Sequence, residues 1–179
     1  MKDLTKDDIL AYFAEINEQL KKENKFGEIL IVGGAALTLV YNARNSTHDV
    51  DAIFSPKDDM RKIIKNIANK NNLNEDWLND AASGFISPNM KSTILYKYSN
   101  LTVSSLDGES LLAMKLTSAR AFTNDLKDSI TLMKSLNIKD QNELFAIINK
   151  YAYDNQKTPK AMYFAIEAFE QYNKELKQK

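Results

Sequence analysis

The composition of this 179-residue chain limits what the protein can be. Its length fits one large domain, or one domain with a helical extension, and is enough to bury a core without staples. Lysine plus arginine and aspartate plus glutamate both total 24, so there is no overall basic field to indicate a nucleic-acid partner, although a local basic patch stays open. The absence of cysteine and the single histidine, His48, exclude disulfides, thiolate metal sites and multi-histidine zinc sites. Any metal should therefore be a hard cation held by oxygen atoms.

The sequence also bears on the location of the protein. Its first residues lack the apolar core of a signal peptide, and no stretch approaches the roughly 20 apolar residues that cross a bilayer. We therefore expect a cytoplasmic protein that does not contact membranes.

The first elements of the chain are a helix and a strand. Thr5 is a candidate N-cap, and apolar residues recur at helical spacing from there to Leu20. Residues 28–32 form a short apolar run rich in β-branched residues, which predicts a strand buried on both faces. Gly33 and Gly34 end this strand and indicate a turn into a short helix.

The rest of the front half continues the alternation of helix and strand. Residues 48–54 alternate polar and apolar side chains, which predicts a second strand beside the first. The other expected elements are a helix over 35–43, a helix over 58–70, a short helix or turn over 75–85 and a strand pair over 92–98 and 101–106.

From Glu109 onward the pattern is helical. The four expected helices cover residues 109–122, 125–136, 141–153 and 158–176. We therefore predict an α/β (α+β) fold with a small mixed central sheet flanked by helices. The predicted domains are an α/β core with its N-terminal helix over 1–107 and a helical region over 108–179 packed on that core.

Two aspartates suggest a metal site. Asp49 and Asp51 are two apart on a predicted strand, so their side chains should share one face, about 6.5–7 Å apart along it. Magnesium prefers oxygen ligands and keeps waters and substrate phosphates in its shell, so such a pair can hold one or two ions. The alternatives are a solvated strand end, or aspartates that pair with lysine or arginine on a scaffold for protein contacts.

Gly33 and Gly34 stand where a strand turns into a helix. Without side chains the backbone can approach a ligand closely, and the N–H groups at the start of the helix are donors suited to phosphate. Ordinary turn geometry explains the same pair of glycines without any ligand.

The order strand, Gly-Gly, helix, "RNSTHDVD", strand resembles the nucleotidyltransferase superfamily, which has the DNA polymerase β-like fold. The resemblance implies that the second glycine of the turn and the Asp-x-Asp pair bind triphosphate and metal. The residues that match, including an "R.T.D.D" spacing, are Gly33, Gly34, Arg44, Thr47, Asp49 and Asp51.

A wider resemblance covers about residues 25–135 and is to small bacterial nucleotidyltransferase-like proteins related to AbiEii-type toxins. It implies that Lys115, Asp125 and Asp128 belong to the active-site region, where the lysine would neutralise phosphate charge. The alternatives are a surface lysine on an amphipathic helix and aspartates that stabilise the start of a helix. Asn124 stands where those relatives carry a basic residue.

The match lacks one part of the superfamily pattern. These transferases carry a third carboxylate on a later central strand, whereas residues 101–106 contain no acid. Asp107, Glu109 or Asp125 are the alternatives that the sequence leaves open.

The resemblance implies two functions of different classes. The first is a nucleotidyltransferase that uses Mg²⁺ or Mn²⁺ to move an NMP group from an NTP to a hydroxyl of RNA (tRNA) or of a protein, in a toxin–antitoxin or phage-defence system. The second is a non-catalytic nucleotide-binding or antitoxin-like partner-binding module with a degenerate site. A cognate antitoxin or toxin is the expected partner in either case.

Two further side chains have structural interpretations. His48 should point away from the two aspartates on a regular strand, which favours packing over catalysis. Trp77 is expected to be an anchor that buries its ring and satisfies its N–H, with no ligand role.

Overall fold

A computed structural model describes residues 3–41, 44–118 and 124–178. Within these ranges it has the α+β class that the sequence predicts. The strands are β1 (Leu4–Thr5), β2 (Gly27–Ile31), β3 (Ser46–Thr47), β4 (Val50–Ser55), β5 (Leu78–Asn79), β6 (Ser92–Lys97) and β7 (Leu101–Leu106). The helices are α1 (Lys6–Lys22), α2 (Gly33–Leu39), α3 (Lys57–Asn71), α4 (Gly108–Thr117), α5 (Asp125–Leu136), α6 (Gln141–Tyr151) and α7 (Pro159–Lys177), with 3-10 helices at Ala81–Phe85 and Asp154–Gln156.

The central element is a five-stranded mixed sheet with the order β5-β4-β2-β7-β6. Strand β2 lies antiparallel to β4 and parallel to β7, while β6 and β7 form an antiparallel pair. The strand before the glycines is therefore paired with the strand that carries Asp51, as the sequence predicts. Strands β1 and β3 form a separate two-stranded sheet.

The five-stranded sheet has one buried face and one open face. On the buried face, Ile29 and Ile31 of β2 are at most 1% exposed, and helices α1 and α3 lie against the sheet. On the other face, which we call the open face, Glu28 is exposed and Leu30 is half-buried. The prediction that this strand is buried on both faces is therefore wrong, because the helices described in this part of the chain cover only one side.

Local capping explains the start of α1. The Thr5 hydroxyl accepts a hydrogen bond from the Asp8 N–H, and the Asp8 carboxylate accepts one from the Thr5 N–H, which is a reciprocal capping box. Trp77 is a buried anchor, as the sequence predicts. It is 2% exposed, and its indole N–H donates a hydrogen bond to the Ile64 carbonyl oxygen at 3.2 Å.

Several predicted bounds differ from those in the structure. The strand that carries the aspartates begins at Val50 rather than at residue 48, and the short helix after the glycines ends at Leu39 rather than at 43. Helix α4 ends at Thr117. The last residues of the predicted helices 35–43 and 109–122 lie outside the described residues.

Contacts divide the chain into two compact units. The first comprises residues 1–83 and 92–106 and contains the five-stranded sheet. The second comprises residues 84–91 and 107–179, and in it α4 contacts α5, α6 and α7. The division into 1–107 and 108–179, with one part packed on the other, stays a prediction. Across the described ranges, no helix is both long and apolar enough to span a bilayer.

Candidate active site at the glycine turn

The turn after β2 brings the backbone against an aspartate. The Val32 N–H donates to the Asp51 carbonyl oxygen at 2.9 Å, which continues the pairing of β2 with β4 up to the turn. Gly33 then has φ of +59°, a left-handed conformation that glycine adopts without steric cost. A Cβ atom on Gly33 would lie 2.9 Å from Oδ2 of Asp51. The conformation thus favours glycine, and a side chain at this position would displace the Asp51 carboxylate.

The second glycine faces a basic and a hydroxyl side chain. A Cβ atom on Gly34 would lie 3.0 Å from Nη1 of Arg44 and 3.1 Å from Oγ1 of Thr47. The Thr47 hydroxyl donates to the Asp49 carbonyl oxygen at 3.0 Å, and Thr47 is only 7% exposed. We call Gly33, Gly34, Arg44, Thr47, Asp49 and Asp51 the glycine-turn site, because the structure gathers these predicted residues around one turn.

The two aspartates of this site differ in their surroundings. Asp51 lies within β4 and is half-buried. Because side chains alternate along a strand, Asp51 shares the open face with Ile53 and Ser55. Asp49 precedes the strand and is exposed. Asp51 therefore lies on the predicted strand, whereas Asp49 lies before it, so the prediction of two carboxylates on one regular strand is wrong for Asp49.

These residues can supply only part of the coordination shell of a magnesium or manganese ion, and water or substrate would supply the rest. Among the described residues, no three acidic or histidine side chains are grouped so that they could hold a metal ion. Asp49 and Asp51 supply two carboxylates, and magnesium commonly takes its remaining ligands from waters and substrate phosphates. The Gly33 backbone closely approaches the Asp51 carboxylate, so a phosphate bound at the turn would be near such an ion.

An N-terminal strand holds the loop before the aspartates, a feature that sequence analysis missed. Leu4 pairs with Thr47 through β1 and β3, and Oδ1 of Asp3 lies 2.6 Å from Nδ1 of His48. His48 has an 82% exposed side chain, so the prediction of a packing role is wrong. The two-residue strand β1 is too short to leave a periodic signal in the sequence.

The other predicted active-site residues form a buried ionic cluster in the second unit. Nζ of Lys115 lies 2.8 Å from Oδ1 of Asp125 and 3.0 Å from Oδ2 of Asp128. Their exposed fractions are 8%, 5% and 2%, respectively. We call these residues the Lys115 cluster. Lys115 is buried because residues Ser110–Leu116 of α4 are buried on every side, so the surface-lysine alternative is wrong.

The candidates for a third carboxylate also have partners inside the second unit. Asp107 caps α4 by accepting a hydrogen bond from the Ser110 N–H at 2.8 Å. Glu109 accepts from the Tyr151 hydroxyl at 2.7 Å and from Lys150 at 3.1 Å, and these bonds, that of Tyr151 foremost, lower the pKa of the Glu109 carboxyl. Asp125 pairs with Lys115. On β7 itself the open face carries Thr102 and Ser104, neither of which is an acid.

Comparison with known proteins gives one match. The model of a family described as a nucleotidyltransferase of unknown function (DUF6036) matches residues 7–177. No curated protein and no solved structure matches the chain. The match confirms the resemblance to nucleotidyltransferases, while the relationship to AbiEii-type toxins stays a prediction. Because the matched residues include both the glycine turn and the helices that follow the sheet, the chain belongs to this nucleotidyltransferase family.

Proposed function

We propose that this protein is a Mg²⁺- or Mn²⁺-dependent nucleotidyltransferase that moves an NMP group from an NTP to an acceptor hydroxyl. The observation that supports the proposal most is the position of Gly33, whose absent side chain would lie 2.9 Å from Oδ2 of Asp51. The glycine turn at the start of a helix and a carboxylate suited to a metal are thereby side by side. This combination serves a nucleoside triphosphate better than either element alone.

Each residue of the glycine-turn site has a role in the proposal. Asp49 and Asp51 hold the metal, which when bound neutralises charge on the triphosphate. Gly33 and Gly34 let the backbone approach the phosphates. Arg44, whose Nη1 is near Gly34, adds a guanidinium that suits phosphate oxygens. Thr47 positions Asp49 through the hydrogen bond to its carbonyl oxygen.

The proposed transfer is a substitution at the α-phosphorus. The acceptor oxygen forms a bond to that phosphorus, and the bond between the α-phosphorus and the oxygen that bridges to the β-phosphorus breaks. Pyrophosphate leaves with the electron pair of the broken bond, and the proton of the acceptor hydroxyl passes to water. No oxidant or reductant is required.

The wider context of the reaction is part of the proposal. The acceptor is an RNA such as tRNA or a protein, and the setting is a toxin–antitoxin or phage-defence pair in the cytoplasm. Lys115, Asp125 and Asp128 as catalytic residues stay a prediction. Their mutual ion pairs support a structural role within the second unit at least as well.

The first test is thermal unfolding with each NTP, with and without Mg²⁺ or Mn²⁺. A ligand at about 100 times its Kd adds about 2.7 kcal/mol of stability, which is roughly 5–10 °C in Tm for a chain of this size. We expect such a metal-dependent rise in the wild type and in Asp76→Asn, which removes an exposed aspartate elsewhere. We expect no rise in Asp51→Asn. A rise that survives in Asp51→Asn would contradict the proposed site.

A second candidate function is a binding module that keeps the nucleotide site but not the reaction. The absence of an acid at Thr102 and Ser104 on the open face of β7 favours it. Transfer of label from an α-³²P-labelled NTP to an acceptor decides between the two functions. Robust transfer that falls more than tenfold in Asp51→Asn supports the enzyme, whereas nucleotide-dependent stabilisation without transfer supports the module.

A further inference from the structure

The open face of the sheet contains a groove that the proposed chemistry does not yet use. Its volume is about 300 Å³, and the residues that line it belong to β2, β4, β6 and β7 of the first unit. Ile94 on the edge strand β6 is 59% exposed, although it is a large apolar side chain. An exposed apolar surface rimmed by polar groups is typical of a binding site.

Strand register arranges the groove in two rows. Leu30 is paired with Ile53 on one side and with Ser104 on the other, and Ser104 is paired with Ile94. This row is apolar except at Ser104, and we call it the apolar row. It crosses four strands and is therefore about 14 Å long. A second row places Glu28 between Ser55 and Thr102.

The apolar row begins beside the glycine-turn site. Asp51 and Ile53 are two residues apart on β4 and share the open face, so they are about 6.5–7 Å apart along the strand. A molecule that lies across Leu30 and Ile53 would thus place a neighbouring group next to the Asp51 carboxylate. The groove is therefore adjacent to a carboxylate that the proposed function assigns to the metal.

The chemistry of the groove argues against a polynucleotide. Its lining residues include no lysine or arginine, and Lys97 lies only at the outer edge of the second row, paired with Thr102. Polynucleotide backbones are bound largely through several cationic contacts to phosphate. Glu28 is the charged residue in the lining, and within the described chain it has no ion-pair partner. A carboxylate of this kind repels phosphate and attracts a cation.

We propose that this groove binds the acceptor and that the acceptor is a polypeptide segment. The proposal rests on the nucleotidyltransferase function above. Apolar side chains of the segment pack on Leu30, Ile53 and Ile94, a lysine or arginine pairs with Glu28, and the hydroxyls of Ser104 and Thr102 bond to peptide groups. A serine, threonine or tyrosine of the segment then supplies the oxygen that attacks the α-phosphorus, with pyrophosphate leaving and the hydroxyl proton passing to water.

The test is a binding assay without nucleotide on an array of synthetic 12-residue peptides. Each peptide carries one hydroxyl residue, three apolar residues and one lysine, and each has a twin with glutamate in place of lysine. We expect the wild type to bind a subset of lysine peptides at least tenfold better than their twins. Ile94→Arg and Glu28→Lys should each lower that binding at least tenfold. Tyr163→Arg, which places the same charge at a 74% exposed aromatic on α7, should leave it unchanged.

Three controls separate the groove from the nucleotide site and from other occupants. Asp51→Asn should keep peptide binding, so a failure of the nucleotide proposal and a failure of the groove proposal give different results. Ile94→Arg should keep the metal-dependent NTP stabilisation, because a loss would assign the groove to the nucleoside. Sedimentation of the wild type and Ile94→Arg reports whether a second copy of the chain occupies the face.

Four outcomes overturn the proposal. The first is that peptide binding shows no preference that depends on Ile94 and Glu28. The second is that Ile94→Arg loses the stabilisation by NTP. The third is that the wild type forms a dimer and Ile94→Arg dissociates it. The fourth is binding of a transfer RNA pool that competes with the peptides or receives label from NTP in their place, which would assign the groove to RNA.

Discussion

The two charged sites of this protein carry similar residues in opposite environments. In the glycine-turn site, Asp49 is exposed and Asp51 is half-buried on an open sheet face. In the Lys115 cluster, all three residues are less than 10% exposed, and both carboxylates lie within ion-pair distance of Lys115. The first site is open to solvent at Asp49, whereas the carboxylates of the second are enclosed and paired with Lys115.

This difference shows why acidic residues alone do not identify an active site. Burial of a carboxylate is costly unless a partner compensates for the lost hydration, so the cluster depends on its lysine. An exposed carboxylate keeps part of its hydration and does not need a buried cation to compensate for it. Aspartate residues therefore have different environments in the two sites, and only the proposed function assigns ligand binding to the exposed pair.

The largest effect is expected from removal of the shared cation. Lys115→Met leaves Asp125 and Asp128 buried without their common lysine, and loss of one partner from a buried pair typically costs about 3–5 kcal/mol. Urea unfolding measures this loss. Lys127→Met removes an exposed lysine of α5 and should stay within about 0.5 kcal/mol of the wild type. A loss below about 1 kcal/mol in Lys115→Met would mean that the cluster is not structural.

A smaller effect on stability, with a larger one on ligand binding, is expected at the glycine turn. Gly33→Ala forces a residue with a side chain into φ of +59° and pushes its Cβ against Oδ2 of Asp51. We expect about 1–3 kcal/mol of destabilisation together with loss of the metal-dependent NTP effect. Gly84→Ala is the matched control, because a Cβ there meets nothing within 4 Å. Normal NTP stabilisation in Gly33→Ala would separate the turn from the nucleotide site.

The smallest effect is expected at Glu109. Its side chain is 41% exposed, so it is less buried than the Lys115 cluster but, unlike an isolated surface carboxylate, it has fixed partners. Hydrogen bonds from Tyr151 and then Lys150 lower its pKa below the ordinary 4.5. A lowered pKa stabilises the fold at pH values above 4.5, and this contribution is lost as the pH falls through the folded value. Glu109→Gln should therefore lose less Tm on acidification below that pH than the wild type.

The control for this pH dependence is Glu167→Gln, which changes an exposed glutamate of α7. Its Tm profile on acidification should follow that of the wild type. Parallel profiles for wild type and Glu109→Gln would show that the bonds to Glu109 do not contribute to acid stability.

Much of the fold was predictable because its signals are local. The capping box at Thr5, the proline that starts α7 and the alternation along β4 each act within a few residues. The strand before the glycines was placed correctly but its burial was not. Whether Leu30 and Glu28 face a helix depends on which side of the sheet the helices occupy, which the local pattern does not specify.

The sequence by itself determined the composition of the glycine-turn site. Gly33, Gly34, Arg44, Thr47, Asp49 and Asp51 are close in the chain, so the turn between two paired strands brings them together with little long-range information. Only the tertiary structure decided the rest. Three features depend on residues far apart in sequence. They are the pairing of β1 with the strand that contains Thr47, the burial of Lys115 and the groove beside Asp51. Their environment is set by which surfaces pack, because desolvation is a property of the folded surroundings and not of a residue type.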